Sequence, residues 1–250
     1  MILNSSEIKA IEQKEFKLRK NSFSLMQSAG EKCAEYISEN ISKNNDVLVI
    51  CGPGNNGGDG FIISNCLFNK GYKVKTFLIL PFKNKKNDNH KAFKKLEGEV
   101  FNLNNLHKEL KKRTKPIIVD CIFGTGLNKN LSARIKNVIK VINKKKAFTF
   151  SIDIPTGINS DNGNVMGEAI KANVTLALHC KKIGHVLFPG VYFSGKTKIL
   201  DIGIRKSLNK LVDNKIRENN PNLWINKKFP WKKYNSHRSE EHTSELQSQF

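Results

Sequence analysis

The strongest structural signal in this chain is residues 46–60, which read Asp-Val-Leu-Val-Ile-Cys-Gly-Pro-Gly-Asn-Asn-Gly-Gly-Asp-Gly. The apolar, β-branched run 46–51 predicts a buried strand, and the apolar spacing of 61–68 predicts a helix packed on a sheet. A glycine-rich turn from a strand into a helix directs backbone N–H groups and the positive end of the helix dipole at whatever lies above it. Residues 52–60 therefore predict a phosphate- or nucleotide-binding loop.

The glycines of this loop fit neither of two common nucleotide-binding patterns. The absence of Gly-Lys-Ser/Thr excludes a nucleoside-triphosphate P-loop. Gly52, Gly54 and Gly57 spell G-x-G-x-x-G, but a dinucleotide fold also needs an acid about 20 residues further on, at the end of the second strand. That strand, at 73–80, is followed by no acid before Asp88, so an ordinary NAD-dependent dehydrogenase is disfavoured. A tight turn without a ligand is the other alternative, and the density of Asn, Gly and Asp argues against it.

The rest of the chain alternates predicted strands with helical patterns. At 250 residues, one α/β domain with tails is the simplest organisation. The alternation predicts βαβ units, so we expect an α/β fold: a Rossmann-like three-layer αβα sandwich with a mostly parallel, doubly wound sheet. Two helices precede the first strand: one begins near Asn4, with Glu7 at capping-box spacing, and the other spans 22–41. The strands are predicted at 46–51, 73–80, 116–121, 147–153, 172–178 and 196–202.

Three of the predicted strands end in polar segments that contain glycine. Residues 52–60 follow the first strand, 120–127 the third and 153–157 the fourth. Ligands of an open parallel sheet bind beyond the carboxyl ends of its strands. One aspartate at a strand end is usually a turn or helix cap, but one in each of three converging segments predicts a site. These acids are Asp59, Asp120 and Asp153.

Several segments, in order and spacing, resemble one known family. Residues 52–60 are similar to the signature loop of the NAD(P)H-hydrate epimerases, the YjeF N-terminal family. Residues 23–30 resemble the N-terminal helix of that family, and 119–127 and 151–157 resemble its second and third active-site loops. The resemblance covers about residues 1–205, which is most of the chain.

The resemblance implies an isomerase that repairs a damaged cofactor. Its substrate is NADHX or NADPHX, in which water has added across the C5–C6 bond of the dihydronicotinamide ring. The enzyme interconverts the R and S epimers at C6, a hemiaminal carbon next to the ring nitrogen, without net redox change. Departure of the hydroxyl, or ring opening and reclosure, would each need a carboxyl group within hydrogen-bond reach. Asp153 matches the substrate-contacting acid of the family, and we expect it to act as general acid/base.

The resemblance also implies the residues that bind the substrate and one potassium ion per subunit. The family's substrate-binding loop matches Asn55, Asn56, Gly57, Gly58 and Asp59. Its phosphate-holding loop matches Gly124, Thr125, Gly126, Leu127, Asn128, Lys129 and Asn130. The potassium ligands match Asn56, Asp120 and Thr156. Amide, hydroxyl and carboxylate oxygens are hard donors that suit such a cation.

A lysine near the end of the predicted domain has two open interpretations. Lys182 lies in 180–184, where the family usually shows Pro-Lys-x-Gly, but Lys181 replaces the proline. Lys182 is therefore either the motif lysine or a solvated surface lysine. His179 and His185 flank the segment without metal-ligand spacing or a second acid, and both are predicted to be packing or surface residues.

The chain is strongly basic, with 43 Lys and Arg against 22 Asp and Glu and a formal net charge of +21. Such an excess can indicate nucleic-acid binding. The lysines are scattered through predicted loops and helix surfaces, which favours a solvated surface and disfavours a nucleic-acid partner. The same fold also occurs as a dimerising, RNA-associated scaffold in mRNA decapping, so an inactive scaffold module is the alternative function. A scaffold would be free to lose the acids and the potassium ligands, and this chain has them all.

The cysteines and the N-terminus bear on cellular location. Five cysteines without a C-x-x-C pair or zinc spacing predict reduced thiols in a cytoplasmic protein. They are Cys33, Cys51, Cys66, Cys121 and Cys180. The first ten residues lack a signal-peptide apolar core, and no stretch approaches the roughly 18 apolar residues of a membrane span.

The C-terminal residues depart from the family pattern. Residues 238–248 resemble the conceptual translation of a common sequencing-library adapter, so 238–250 are left out of the fold prediction. Residues 229–237 are similar to the junction where bifunctional family members continue into an ADP- or ATP-dependent hydrate dehydratase domain. We therefore predict a YjeF N-terminal domain at 1–205 and a linker at 206–237 toward a missing dehydratase domain, with an ordinary tail as the alternative. The resemblance also implies a homodimer.

Overall fold

Seven parallel strands form the central sheet of the fold. The computed structural model describes residues 1–82, 85–212 and 216–219, and it groups 1–216 into one unit and 217–250 into another. In chain order the strands are β1 (Ile2–Leu3), β2 (Asp46–Cys51), β3 (Lys73–Leu78), β4 (Val100–Phe101), β5 (Ile117–Cys121), β6 (Phe148–Ile152), β7 (Val174–Leu178), β8 (Lys181–Lys182) and β9 (Lys196–Leu200). The α-helices are α1 (Ser5–Arg19), α2 (Ser22–Asn40), α3 (Asn55–Asn69), α4 (Asp88–Lys94), α5 (Leu103–Lys112), α6 (Ala133–Lys145) and α7 (Gly190–Ser194), and 3₁₀ segments lie at Ile183–His185 and Lys206–Leu211.

The strand order of the central sheet is β4-β3-β2-β5-β6-β7-β9. From β2 the chain first builds outward through β3 and β4, and then returns to the other side of β2 with β5. Ligands of doubly wound sheets bind at this switch point, beyond the carboxyl ends of the strands. Cys51 and Cys121, the last residues of β2 and β5, are paired across it. The segments that follow these two strands therefore start side by side.

The central strands are buried on both faces because helices cover each side of the sheet. Val47, Val49 and Cys51 of β2 pack with α2 and α3, whereas Leu48 and Ile50 pack with α5 and α6. All five side chains are fully buried. This alternation is what a parallel strand between two helical layers requires, and it confirms the three-layer αβα sandwich.

A second, two-stranded sheet joins the N-terminus to the end of the domain. β1 pairs in parallel with β8, with Leu3 opposite Lys182. α1 begins two residues later, and Asp161 accepts hydrogen bonds from the backbone N–H and the hydroxyl of Ser5, both at 2.6 Å. The start of α1 is therefore held close to the segment that contains Lys182.

The predicted elements are confirmed, with small differences at their ends. β2 has the predicted bounds, and the other five predicted strands are one or two residues shorter than expected. The capping box of α1 is present, because the Asn4 side chain accepts from the Glu7 N–H at 2.9 Å and the Glu7 carboxylate accepts from the Asn4 N–H at 2.8 Å. The two-residue strands β1, β4 and β8 were not predicted, since such short strands show no periodicity.

The predicted domain end at residue 205 is followed by residues that are described only in part. Lys206–Leu211 form a 3₁₀ segment, and its Leu208 packs in an apolar cluster with residues of α1. The remainder of the predicted linker at 213–215 and 220–237, and the adapter-like segment 238–250, lie outside the described residues. The domain division stays a prediction. Within the described ranges, no helix is long and apolar enough to cross a membrane.

Candidate functional site

The glycine-rich segment after β2 forms the first turns of α3 and is not a separate loop. α3 begins at Asn55 with Gly54 as its N-cap and without a side-chain cap, whereas the sequence placed the helix at 61–68. The first N–H groups of a helix lack intrahelical acceptors, and the helix dipole adds positive potential there. The start of α3 is therefore suited to bind phosphate at the switch point of the sheet.

Three glycines let α3 approach the edge of the sheet closely. A β-carbon on Gly57 would lie 1.9 Å from the Gly52 carbonyl oxygen, and one on Gly52 would lie 1.9 Å from the Ile122 carbonyl oxygen. A β-carbon on Gly60 would lie 2.7 Å from the Cys51 sulfur. Since no side chain fits at these distances, close packing requires glycine at all three positions.

Asp120, in β5, is fully buried at the centre of a hydrogen-bond network. Its carboxylate accepts from the Thr156 N–H at 2.9 Å and the Thr156 hydroxyl at 2.7 Å. It also accepts from the Ser151 hydroxyl at 2.8 Å and the Ile122 N–H at 3.3 Å. Burial raises the pKa of the Asp120 carboxyl, and the hydrogen bonds oppose part of that shift. Two of the predicted potassium ligands, Asp120 and Thr156, are therefore in direct contact.

Asp153 follows β6 directly and forms a buried ion pair. The Lys182 Nζ lies 2.5 Å from the Asp153 Oδ1, and it also donates to the carbonyl oxygens of Leu178 at 2.9 Å and Cys180 at 3.1 Å. Lys182 is 1% exposed and Asp153 is 8% exposed. The interpretation of Lys182 as a solvated lysine is therefore wrong, because three acceptors hold its ammonium group inside the protein.

The pairing sets the protonation of both groups. Burial would raise the pKa of Asp153, but attraction to the Lys182 ammonium group and its hydrogen bond outweigh burial, so this pKa is lowered. Burial would lower the pKa of Lys182, but the Asp153 carboxylate outweighs it, so this pKa is raised. Both groups are therefore charged at neutral pH, and Asp153 is present as a carboxylate.

The backbone conformation at Asp153 places its side chain near that of Asn56. Asp153 has a φ of 67°, and its Oδ2 accepts from the Thr125 N–H at 3.2 Å. Left-handed backbone costs a residue with a β-carbon roughly 1–2 kcal/mol, so surrounding contacts must fix this conformation. A β-carbon on Gly124 would lie 2.9 Å from that oxygen and 3.5 Å from the Cβ and Cγ of Asn56. Asp153 and Asn56 thus flank Gly124.

Asn56 is a buried amide whose hydrogen bonds are not satisfied by the protein. It is 7% exposed, and neither its Oδ1 nor its Nδ2 has a partner among the described residues. An unsatisfied buried polar group costs about 1–3 kcal/mol, so in a folded protein it is expected to bind water, an ion or a ligand. The unsatisfied amide lies beside Asp153, where the predicted substrate and potassium sites meet.

Two further carboxyl groups are electrostatically coupled to the Asp153–Lys182 pair. Asp59, in α3, is buried, and burial followed by the charges of Asp153 and Glu12 raises its pKa well above the usual range. Glu12, in α1, is half-buried, and burial followed by the charge of Asp153 raises its pKa to about 7. The sequence prediction missed Glu12. The sequence feature that could have indicated Glu12 is its spacing, because it follows the apolar Ile8 by four residues, which is one helical turn.

The two histidines near the Asp153–Lys182 pair are His179 and His185, and burial lowers the pKa of each ring. His185 is buried, and its Nδ1 accepts from the Lys182 N–H at 2.9 Å. Burial and the neighbouring Lys182 charge lower the pKa of His185 to about 3, so its ring is neutral. His179 is half-buried and its Nε2 lies 3.0 Å from the Asn209 Oδ1. The predicted packing role is confirmed for His185.

Residues 22–184 match the protein family described as the YjeF-related protein N-terminus. The chain belongs to this family. It is 35% identical to the NAD(P)H-hydrate epimerase of Oenococcus oeni, over 63% of this chain and 74% of that protein. It is 32% identical to the bifunctional NAD(P)H-hydrate repair enzyme of Moorella thermoacetica, over 74% of this chain but only 37% of the length of that protein. The crystal structure of a yeast protein has the same fold, with a TM-score of 0.68 at 22% identity, over 80% of this chain and 87% of that one.

This YjeF N-terminal chain brings most of the predicted site residues together, and leaves others at the surface. The residues gathered at the switch point are Asn56, Gly57, Gly58, Asp59, Asp120, Gly124, Thr125, Asp153 and Thr156. The Leu127 N–H donates to the Gly124 carbonyl at 3.2 Å, which forms a turn. The exposed members are Asn55, Gly126, Asn128, Lys129 and Asn130. The exposed members lie at the first residue of α3 and in the segment 126–130.

A cavity of about 420 Å³ lies elsewhere on this YjeF N-terminal domain, between α2, α3 and α4. Its walls include Phe23, Phe61, Cys66 and Lys95. None of the predicted catalytic, substrate-binding or potassium-binding residues lines it. The predicted site residues therefore lie at the switch point and not in this cavity.

Proposed function

We propose that this chain is an NAD(P)H-hydrate epimerase, an isomerase that interconverts the R and S epimers of NADHX and NADPHX at C6. The observation that carries the proposal is the buried Asp153–Lys182 pair beside the unsatisfied amide of Asn56, at the switch point of the sheet. The relatives support it: those from Oenococcus oeni and Lentilactobacillus buchneri, at 35% and 33% identity, are both named NAD(P)H-hydrate epimerase.

The substrate's phosphates and its reacting ring need different surroundings, and the site offers both. The first turn of α3, from Asn55, and the exposed loop 124–130 with Lys129 can bind the dinucleotide phosphates. The nicotinamide ring would then lie near Asp153, whose carboxylate is held by Lys182 and by the Thr125 N–H. The polar segments would thus bind the phosphates, and the buried pair would take part in proton transfer.

Epimerisation at C6 requires the C–O bond to break and to form again on the opposite face. The bond electrons leave with the hydroxyl oxygen, which takes up a proton and departs as water, and the ring-nitrogen lone pair stabilises the planar cation. A water molecule then adds from the other face and loses one proton. Asp153, ionised by Lys182, accepts this proton. Ring opening and reclosure would use the same carboxylate, and neither route consumes an oxidant or reductant.

The donor set at this site fits the potassium ion that the family resemblance implies. Asn56 offers an amide oxygen without a partner, and Asp120 and Thr156 add a carboxylate and a hydroxyl in contact with each other. A bound cation would offset the buried charge of Asp120. We expect potassium to raise the thermal midpoint by about 2–4 °C over sodium at equal ionic strength, and Asn56→Leu to abolish this difference. Equal midpoints for the wild-type protein in the two salts would contradict a potassium site.

The alternative of an inactive RNA-associated scaffold is not favoured. The chain has Asp153 paired with the buried Lys182 at the polar switch point, which supports an enzyme more than a scaffold that has lost its site. The relatives named above carry enzyme names.

We further propose a longer, dimeric and cytoplasmic parent protein. This chain spans 37% of the length of a bifunctional relative, which supports a fused dehydratase domain after the predicted linker. All five cysteines are free thiols, which supports a reducing compartment such as the cytoplasm. A stop codon directly after residue 237 in the source locus would contradict the fusion. A monomer in sedimentation experiments at micromolar concentration would contradict the homodimer.

The epimerase proposal is tested by chiral chromatography of R-NADPHX with and without the protein in potassium buffer. We expect formation of the S epimer well above the spontaneous rate, and a loss of about 10²- to 10⁴-fold in Asp153→Asn. Glu39→Gln, a change on the exposed surface of α2, is the matched control and should keep full activity. A folded wild-type protein without any acceleration would contradict the proposal.

A further inference from the structure

Inversion at one carbon needs a proton donor as well as a proton acceptor. This inference rests on the proposed epimerase function, in which the departing hydroxyl takes up a proton while the adding water loses one. Asp153 is ionised through its pairing with Lys182, so it can serve as the acceptor but does not carry the proton to be donated. A second group must therefore supply that proton.

Glu12 is placed against the Asp153–Lys182 pair by the N-terminal segment. β1 pairs with β8, which sets Leu3 opposite Lys182, and α1 follows immediately. Ile8 and Ile11 of α1 pack in one apolar cluster with Cys180, two residues before Lys182. Glu12 follows Ile8 by one helical turn, so its side chain lies on the inward face of α1. Glu12 is half-buried, and its carboxyl is electrostatically coupled to Asp153 and Lys182.

The groups around Glu12 form a defined cluster of charges. The charged and titratable groups that interact with it are Asp153, Lys182, Asp59 and Cys180, and the His185 Nδ1 accepts from the Lys182 N–H. The Asn56 amide, buried without a partner among the described residues, lies beside Asp153 across Gly124. The cluster therefore contains three carboxyl groups against one ammonium group, next to a buried amide that is available to a ligand.

The other members of this cluster are poor proton donors at neutral pH. Lys182 directs its ammonium protons at Asp153 and two backbone carbonyls, and its pKa is raised. His185 is neutral because its pKa is about 3, and its Nδ1 is occupied by a backbone N–H. Asp59 is also protonated at neutral pH, but it is only 7% exposed and exchanges protons with water less readily than the half-buried Glu12. Glu12, with a pKa of about 7, can both release a proton and regain it from water.

We propose that Glu12 is the second proton-transfer residue of the site. Its carboxyl donates a proton to the departing C6 hydroxyl, which leaves as water with the electrons of the C6–O bond. On the other face, water forms the new C6–O bond and transfers one proton to the Asp153 carboxylate. The next turnover in the same direction requires that proton to return from Asp153 to Glu12 through solvent. In the reverse direction the two residues exchange roles.

The experiment compares wild-type protein with Glu12→Gln, Glu12→Asp and the surface control Glu39→Gln. For each protein, the initial rates of R-to-S and S-to-R conversion are measured from about pH 5 to 9. We expect Glu12→Gln to lower kcat at least 100-fold in both directions with KM changed less than about threefold, because general acid–base catalysis contributes about 10²–10⁴. Glu12→Asp should recover at least about tenfold of this loss, since it keeps a carboxyl group. Wild-type activity should fall as the pH rises through about 7, and Glu12→Gln should lack that decrease.

A second measurement does not depend on activity. In protein labelled with ¹³C at the glutamate carboxyl carbons, one resonance should titrate with a midpoint near 7 and be absent from Glu12→Gln but present in Glu39→Gln. If Glu12→Gln fails to fold, Glu12→Asp assigns the resonance, because it also lacks this glutamate carboxyl; a Glu12 midpoint below about 5.5 in the wild-type protein overturns the inference.

The outcomes separate this inference from the function on which it rests. A Glu12→Gln variant within threefold of wild-type activity, with an unchanged pH profile, overturns the role of Glu12 and leaves the epimerase intact. A folded wild-type protein without activity overturns both. Loss of activity in Glu12→Gln, with partial recovery in Glu12→Asp and loss of the pH dependence near 7, supports the inference.

Discussion

Lys182→Met removes one half of the buried ion pair and keeps an unbranched side chain of similar length. In the wild-type protein the Lys182 ammonium group donates to Asp153 at 2.5 Å and to the carbonyls of Leu178 and Cys180. The variant leaves Asp153, which is 8% exposed, with the Thr125 N–H at 3.2 Å as the remaining donor to its carboxylate within the described part of the chain. The change therefore isolates the cost of an unpaired charge inside the domain.

The expected magnitude follows from this burial. Removal of one partner from a buried ion pair typically costs about 3–5 kcal/mol, because the other charge stays desolvated. Asp153→Asn should cost less, about 1.5–3 kcal/mol, since Lys182 keeps its two carbonyl acceptors. In Lys182→Met/Asp153→Asn neither charge remains, so its loss of stability should be smaller than the sum of the two single losses by at least about 1 kcal/mol.

Urea unfolding at constant potassium, followed by circular dichroism, measures all four free energies. Lys43→Met, at an exposed position, is the matched control and should change stability by less than about 0.5 kcal/mol. Without Lys182, burial holds the pKa of Asp153 above its unfolded value, so the variant should be less destabilised at about pH 5 than at pH 8. Additive losses within about 0.3 kcal/mol, or a pH-independent loss, would refute the argument that these two charges stabilise each other.

Three further changes test separate parts of the fold and site. Asp120→Ala removes the acceptor of the buried Thr156 N–H and Ser151 hydroxyl, and among the described residues it leaves the Thr156 hydroxyl only the Phe123 carbonyl as an acceptor. It should therefore lower the free energy of unfolding in urea by about 3–5 kcal/mol; a loss below about 1 kcal/mol would contradict the network. Gly57→Ala should lower it by about 2 kcal/mol or more, although alanine normally favours a helix, because its β-carbon meets a carbonyl oxygen at 1.9 Å; a more stable variant would disprove the close packing. Glu12 has a folded pKa of about 7 against an ordinary 4.5, so its burial weakens the wild-type fold as the pH rises between these values. Glu12→Gln should therefore be more stable than wild type by about 1–3 kcal/mol at pH 8 and nearly equal at pH 4, and a difference that does not change with pH would argue against the raised pKa.

The elements that local sequence determines were predicted well. β2 has its predicted bounds because all residues from 47 to 51 are apolar, as burial on both faces of the sheet requires. The capping box of Asn4 and Glu7 places the start of α1 from four residues alone. The start of α3 was predicted too late because its glycines have poor helix propensity, and only the close contact of Gly57 with Gly52 explains a helix there.

The site residues also fall into two groups, those that local sequence predicts and those that it does not. Asp120 and Asp153 were predicted together because both follow parallel strands, whose carboxyl ends meet at one edge of the sheet. The burial of Lys182 was open in the sequence because it depends on pairing with Leu3, far away along the chain. Glu12 was missed for the same reason, since a glutamate on an N-terminal helix is usually solvated. Contacts between distant segments, and not local pattern, decide these two residues.

The most direct test of the epimerase assignment is the time course that starts separately from pure R-NADPHX and pure S-NADPHX in potassium buffer. An isomerase must speed both reactions toward the same final ratio of epimers and consume neither cofactor nor substrate. We predict this common ratio, reached much faster than the spontaneous reaction, with the total NADPHX unchanged. No acceleration from either epimer by the folded protein, or a net loss of NADPHX, would contradict the assignment.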